Sequence, residues 1–200
     1  MENINYDKIM MDYVSKLDGK KKLLLHSCCG PCSTTCIERL KEYFDVTVIY
    51  YNPNIEPKEE YEKRKSEQMR YLGYLGIPHL DCDYDNQIFR DKTECLSEER
   101  EGGVRCSVCF GIRLKYTARM ALENNFDMFT TTLTVSPHKN SQIINRIGIK
   151  IGETLGIKYL PSDFKKNEGY KRSIELASNY DLYRQDYCGC LYSRRNNNEE

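Results

Sequence analysis

The sequence predicts an α/β fold in which one parallel sheet is flanked by helices on both faces. Three observations predict it. Short aliphatic or β-branched runs alternate with stretches of helical periodicity along most of the 200 residues. The runs are apolar nearly throughout, as in Leu23-Leu24-Leu25 and Val46-Thr47-Val48-Ile49, which suits strands buried on both faces. Polar, turn-rich loops follow the strands, and right-handed crossovers would gather those loops on one edge of the sheet.

Taken in order, Tyr6 to Leu17 carries apolar residues at helical spacing (Tyr6, Ile9, Met10, Tyr13, Val14, Leu17), with Gly19 as its C-cap. Lys22 to Leu25 is the first strand. Thr34 to Tyr43 is the next helix, with Cys36, Ile37, Leu40 and Tyr43 on its apolar face. Asp45 to Tyr51 is β-branched and aromatic, a second strand ended by the turn-rich Asn52 to Pro57. Lys58 to Leu75 is a long helix closing near Gly76, and its mixed charges (Glu59, Glu60, Glu62, Lys63, Arg64, Lys65) read as a solvated face. Ile77 to Cys82 is a third strand, with Asp83 and Asp85 just beyond it. Gly102-Gly103 reads as flexible, and a helix opens at Arg105. Phe126 to Leu133 is the fourth strand, running into the polar loop Thr134 to Asn140. Then follow a helix over Ser141 to Leu155, a short strand over Ile157 to Leu160 and a helix over Gly169 to Asn179. Residues 1–200 are expected to form one domain, with a disordered tail over 193–200.

A hydrophobic fraction of 40% can supply a core, and 30 basic residues balance 30 acidic ones. Overall charge therefore announces no nucleic-acid partner, and one would need a local basic patch. No run is long or apolar enough to span a membrane. Residues 1–20 are polar and lack a secretory pattern, so the expected location is the reducing cytoplasm. Ten cysteines in such a compartment point to metal binding or redox chemistry rather than to structural disulfides. The 16 tyrosines default to packing, with base stacking as a further use.

The thiols form three groups: Cys28, Cys29 and Cys32; Cys106 and Cys109; Cys188 and Cys190. The first group lies on the turn His26-Ser27-Cys28-Cys29-Gly30-Pro31-Cys32-Ser33, between a strand and a helix. Ligands bind at that end of a strand, and the positive helix N-terminus favours thiolate. Cys-x-x-Cys at a helix start can place both sulfurs on one metal or cluster. Seven thiols exceed what one zinc ion needs, and the spacing is not that of a zinc ribbon. A four-iron cluster takes four, leaving some for another purpose. Cys188-Gly189-Cys190 could close a small strained disulfide, shuttle electrons, or hold a second metal. Cys36 and Cys82 read as small buried hydrophobes. Cys95 has no assigned role. His26 reads as a satisfied core residue, and His79 as structural. His138 and Lys139 sit on a strand-end loop as a candidate acid and a candidate anion contact. Asp83 and Asp186 are candidate proton donors or hard metal ligands.

With these motifs collected, the chain resembles the QueH-type epoxyqueuosine reductase family. The matching pieces are His26 to Cys32, Tyr51 to Ile55, Asp83 to Asp85, Gly103 to Phe110, Thr130 to Asn140, Asp163 to Asn167 and Tyr183 to Cys190. The resemblance implies a Rossmann-like, HUP-like fold related to the PP-loop ATPases, with a Cys-rich C-terminal segment folded over the strand ends. It implies an iron–sulfur oxidoreductase that removes the epoxide oxygen from epoxyqueuosine at the tRNA wobble position, giving queuosine. Its partners would be that tRNA and an unidentified electron donor. Carried over by motif, Cys28, Cys29, Cys106 and Cys109 would hold a 4Fe-4S cluster. Cys188 and Cys190 would be a redox-active pair or ligands to an additional mononuclear iron. Cys32, where some family members have Asp, would face the site. For substrate, Lys139, Asn140, Lys165 and Lys166 are the expected contacts. Lys171, Arg172, Arg194 and Arg195 add to a basic rim for tRNA.

Two other functions fit parts of the pattern. A PP-loop tRNA thiolase would need a glycine-rich phosphate loop where this chain has Ser27-Cys28-Cys29-Gly30. A non-enzymatic zinc-binding module would need only the thiols.

Overall fold

The computed structural model describes residues 3–195. Five strands form one parallel sheet: β1 (Lys21–His26), β2 (Phe44–Ile49), β3 (His79–Leu80), β4 (Met128–Thr131) and β5 (Lys158–Tyr159). Their order is β3-β2-β1-β4-β5. The chain builds outward from β1 to β3, then crosses back to β4 and continues to β5. The topological switch point therefore lies between β1 and β4, where open α/β sheets bind ligands.

Side-chain alternation along β1 divides the core. Leu23 and Leu25 pack with α1 (Tyr6–Val14), α2 (Gly30–Leu40), α3 (Lys58–Leu75) and α7 (Gly169–Asn179), through residues such as Met10, Ile37, Leu72 and Ala177. Leu24 faces the other way, into a cluster with Leu114 and Ala118 of α5 (Val104–Glu123) and Ile144 of α6 (Ser141–Leu155). Both faces of the sheet are thus covered. No helix among the described residues is long and apolar enough to cross a membrane.

Several boundaries differ from those the sequence predicts. α1 stops at Val14 because Ser15 closes it, donating its N–H to Met11 O at 3.0 Å, so Gly19 is not the cap. α2 starts at Gly30, inside the thiol turn, with Cys29 as N-cap and Pro31 in the first turn. β3 is two residues long rather than six, since only Val48 and Ile49 of β2 pair with it. Helix α4 (Gln87–Thr93) was not predicted. Leu191–Arg195 forms α8, so residues 193–195 of the tail expected to be disordered are helical, and residues 196–200 of it lie outside the described residues. α3 closes as predicted at Gly76, whose φ of 66° is the left-handed cap conformation.

A candidate thiol-rich metal centre

β1 is the central strand, so its end is buried and must satisfy its polar groups internally. His26 does so on two neighbouring strands' extensions. Its Nε2 donates to Tyr51 O at 3.0 Å, and its Nδ1 accepts from the Thr131 hydroxyl at 2.8 Å. Thr131 Oγ1 already accepts the Leu133 N–H, leaving its own proton for the imidazole. Burial, reinforced by the charge of Arg113, lowers the His26 pKa to about 3 and keeps the ring neutral. Ser27 O accepts from Asn52 Nδ2 at 2.9 Å, and the Ser27 hydroxyl donates to Gln68 Oε1 at 2.6 Å. The backbone entering the thiol turn is therefore pinned on all sides.

Cys28 N–H donates to Thr132 Oγ1 at 3.0 Å, and the Thr132 hydroxyl lies 3.3 Å from Cys28 Sγ as a donor. The sulfurs of Cys28, Cys29 and Cys32 all lie within 4.8 Å of one another, and those of Cys28 and Cys29 are 3.9 Å apart. This is the group of potential metal ligands that the described residues bring closest together. Cys106 and Cys109 project from the first turns of α5. Cys188 and Cys190 flank Gly189, whose φ of 92° is left-handed. Gly189 O accepts the Glu56 N–H at 2.9 Å, and Cys188 O accepts Arg64 Nη1 at 3.2 Å.

The three segments meet at two adjoining cavities. The larger, about 760 Å³, is lined by Cys28, Cys29, Cys32 and Cys188. The smaller, about 30 Å³, is lined by Cys106, Cys109, Cys188 and Cys190. Cys188, Glu101, Arg113, His138 and Lys139 line both and mark their junction.

Charge explains the arrangement. Arg113 is buried, and among the described residues no carboxylate pairs with it. Its Nη1 lies 3.4 Å from Asn52 Oδ1 and its Nε 3.4 Å from Cys109 O, while Nη2 has no hydrogen-bond partner. A buried cation without counter-charge is costly. Burial opposes the charge of Arg113, but Cys109, Cys188, Cys28 and Cys106 hold its pKa above the ordinary value. Half-buried Lys139 behaves alike: burial works against it and Cys188, Cys28 and Cys32 outweigh burial. In return, two thiols are pulled toward thiolate. Cys28 is lowered by hydrogen bonds from Cys29 and Cys32, and Cys188 by one from Cys190, with Lys139 assisting both. Their neighbours rise: Cys29 to about 12 through its bond to Cys28, and Cys109 to about 11 through burial. A thiol-rich donor set compensated by two cations fits a thiolate-bound group, either an iron–sulfur cluster or zinc.

The sequence model of the family described as Epoxyqueuosine reductase QueH matches residues 23–196. The chain belongs to the QueH epoxyqueuosine reductase family. The QueH of Staphylococcus epidermidis is 42% identical to it, over 96% of this chain and 85% of the relative. That of Streptococcus pyogenes is 43% identical, over 97% and 80%. That of Thermotoga maritima is 33% identical, over 86% and 89%. Among solved structures, the U34-tRNA thiolase NcsA from Methanococcus maripaludis, solved with its [4Fe-4S] cluster, superposes with a TM-score of 0.57. It is 17% identical, over 93% of this chain and 67% of that one. A predicted subunit of tRNA methyltransferase from Methanocaldococcus jannaschii gives a TM-score of 0.51 at 16% identity, over 78% and 76%. These two likenesses concern the fold alone, a parallel sheet flanked by helices on both faces.

The other expected QueH site residues are dispersed. Asp186 and His138 line the larger cavity. Asp83 is exposed beyond β3, outside the linings of both cavities. Asn140 lines the smaller one, but its Oδ1 is committed to capping α6 through Gln142 and Ile143 N–H. Lys165 pairs with Asp163 at 3.0 Å, and exposed Lys166 follows it, both before α7 and outside the cavity linings. Arg172 is engaged by Glu38 and Glu175, and Lys171 shares a shallow pocket with them. The side chains of Arg194 and Arg195 lie outside the described residues. Cys36 is buried in the core, Cys82 Sγ donates to Tyr50 O at 3.1 Å, and Cys95 is exposed. The reading of α3 as a solvated face is corrected at Arg64, which is 3% exposed because it turns inward beneath Gly189. Arg64, Arg113 and Asn52 were missed as site residues. Arg113 had a signal: it follows Cys109 by four, on the same helix face.

Proposed function

We propose that this chain reduces epoxyqueuosine in the anticodon of tRNA to queuosine, using a [4Fe–4S] cluster held by thiols of the two cavities. The observation that carries the proposal is the convergence of seven thiols from three segments around Arg113 and Lys139, in a member of this family. The reaction consumes two electrons and two protons: the epoxide loses its oxygen as water, and a carbon–carbon double bond remains.

Cys28, Cys29, Cys106 and Cys109 are the proposed cluster ligands, with Cys32 beside them. Cys188 and Cys190 are a redox-active pair or the ligands of an additional iron. When bound, the cluster would supply electrons singly, and an iron with an open position would polarise the departing oxygen. The chain's own residues do the rest. The larger cavity has the size of a nucleoside site, and an unstacked anticodon base can enter it. Lys139 places a positive charge at the cavity junction, where negative charge develops on the leaving oxygen. Asp186 and His138 line the cavity within reach of solvent and are positioned to deliver protons. A tRNA substrate and reduced thiols both suit the cytoplasm.

The test is metal content and electron paramagnetic resonance on anaerobically purified protein, before and after dithionite. It is joined to mass spectrometry of an epoxyqueuosine-bearing anticodon stem. Loss of one oxygen from the base, with a reducible cluster signal, is the expected result. About four irons per chain would favour the Cys188–Cys190 redox pair, and more than four an additional iron. Zinc alone from an iron-supplied preparation, or an unchanged base, would overturn the reading.

A further inference from the structure

A second large concavity lies away from the thiols. It is a groove of about 880 Å³ between α5 and α6, with α4 at one end. Its floor is apolar: Val108, Ile112 and Tyr116 of α5, Ile147 and Ile151 of α6, and Ile88 of α4, all half-buried. Its rim is basic: Lys92, Lys115, Arg119, Arg146 and Lys150. No acidic residue lines it. Lys92, Lys115, Arg119 and Lys150 are exposed and enter no ion pair among the described residues. In a chain whose net charge is zero, this is a local segregation of cations around an apolar strip.

The groove is close to the thiols through α5. Ser107 and Val108 line it from between Cys106 and Cys109. Ile112 belongs to its floor and also packs against the cluster formed by Phe89, Cys109, Cys190 and Tyr192. One helix, about 10 Å across, therefore separates the groove from the metal centre. The larger cavity shares no lining residue with the groove, so an occupant here leaves the substrate entrance open.

We propose that this groove docks the electron donor of the reaction: an acidic protein carrying a one-electron flavin or iron–sulfur centre. The proposal rests on the reductase reading. Two encounters each oxidise one carrier by one electron, which crosses α5 to the thiol-held group. Together they supply the two electrons that the epoxide consumes, while its two protons come from solvent. Electron-transfer encounters are small and transient, and charge complementarity sets their rate more than their area does. An apolar floor ringed by cations matches a protein face with an apolar centre and an acidic margin. An RNA backbone would engage the rim and leave the floor unused.

The experiment compares two reductants on the holoenzyme. One is a pre-reduced acidic flavodoxin, followed by stopped flow. The other is dithionite, which needs no docking. The variant is Lys92→Glu, Lys115→Glu, Arg119→Glu and Lys150→Glu combined. The expected result is at least a tenfold loss of flavodoxin-driven rate at low salt, on the order seen when steering charges are reversed. The wild-type rate should fall with ionic strength and the variant's should not, while dithionite-driven turnover stays within about twofold. A flavodoxin-driven rate equal to wild type would overturn the proposal, as would a selective loss of tRNA affinity, which would assign the groove to RNA. If the combined variant does not fold, Lys115→Gln with Arg119→Gln should still lower the flavodoxin-driven rate severalfold, and no change there overturns the proposal equally. A wild-type enzyme inactive with dithionite would instead remove the reductase reading.

Discussion

Two segments that bring thiols to the cavity are held by different means. The turn carrying Cys28, Cys29 and Cys32 follows the central strand, paired on both sides by β2 and β4. His26, Asn52, Gln68 and Thr132, all buried, fix its backbone. The Cys188-Gly189-Cys190 loop belongs to no sheet. It is strapped to α3 by charge: Arg64 on Cys188 O, Arg70 on Tyr180 O and Asp181 O, and Glu67 on Tyr183 N–H. The first segment shares the stability of the core, whereas the second rests on these side chains, one backbone bond from Glu56 N–H to Gly189 O and the small cluster of Phe89, Cys109, Cys190 and Tyr192. One half of the centre is therefore built into the fold, and the other is docked onto it.

The largest effect should come from removing a thiol from each half. Cys28→Ser should lose the visible absorption and most of the iron, with activity down by more than about a hundredfold. Cys190→Ser should abolish turnover while sparing most of the iron. If Cys190→Ser also empties the centre, the docked loop holds the cluster and the contrast between the halves fails.

Next is the pin under the built-in half. The unfolded chain protonates His26 below pH 6.5, and the folded chain resists protonation until about 3. The neutral ring thus contributes stability that is fully present above 6.5 and is lost as pH falls through that window, at up to about 1.4 kcal/mol per pH unit. Denaturant unfolding of metal-free protein should show that slope in wild type. In His26→Gln it should be flattened, on a baseline lowered by about 2 kcal/mol.

Arg64→Met tests the docked half. Cys188 and Cys190 should alkylate at least about tenfold faster, because the loop's opening becomes cheaper, while global stability falls by only about 1–2 kcal/mol. Equal alkylation rates would show that Arg64 does not hold the strap. The smallest effect is expected at Glu38, which the bidentate Arg172 keeps below the ordinary carboxylate value of 4.5. That interaction is present above 4.5 and lost as pH falls below it. Its exposure limits Glu38→Gln to less than about 1 kcal/mol, visible as a flatter stability curve at acid pH.

The same contrast governs what could be read from the sequence. The parallel sheet, the strand-end turn and the three thiol groups were legible because apolar runs, helical spacing and Cys-x-x-Cys are local patterns. The partners of those thiols were not. Arg64 sits among six charged neighbours typical of a wetted helix, and only the return of the chain some 120 positions later buries it. Arg113 looks like any helix arginine until β1 and the 188 loop enclose it. Of the basic residues expected near tRNA, Lys165 and Arg172 are engaged by Asp163 and Glu38, carboxylates whose nearness in space the sequence does not show. α4 escaped because Gln87 to Thr93 is short and weakly periodic.

Gly189 carries a consequence for mutational tolerance. A Cβ there would meet Arg64 Nη1 at 2.9 Å, and its φ of 92° strains any side chain independently. Shortening Arg64 relieves the first obstacle and leaves the second, so no single compensating change reopens the position. By contrast, Gly19 and Gly73 have ordinary backbones with nothing within 4 Å of an added Cβ. A saturation library scored for function should find those two permissive and position 189 the most restricted of the three. The residue between the two late thiols is thereby restricted both by its own backbone and by an arginine more than a hundred positions away.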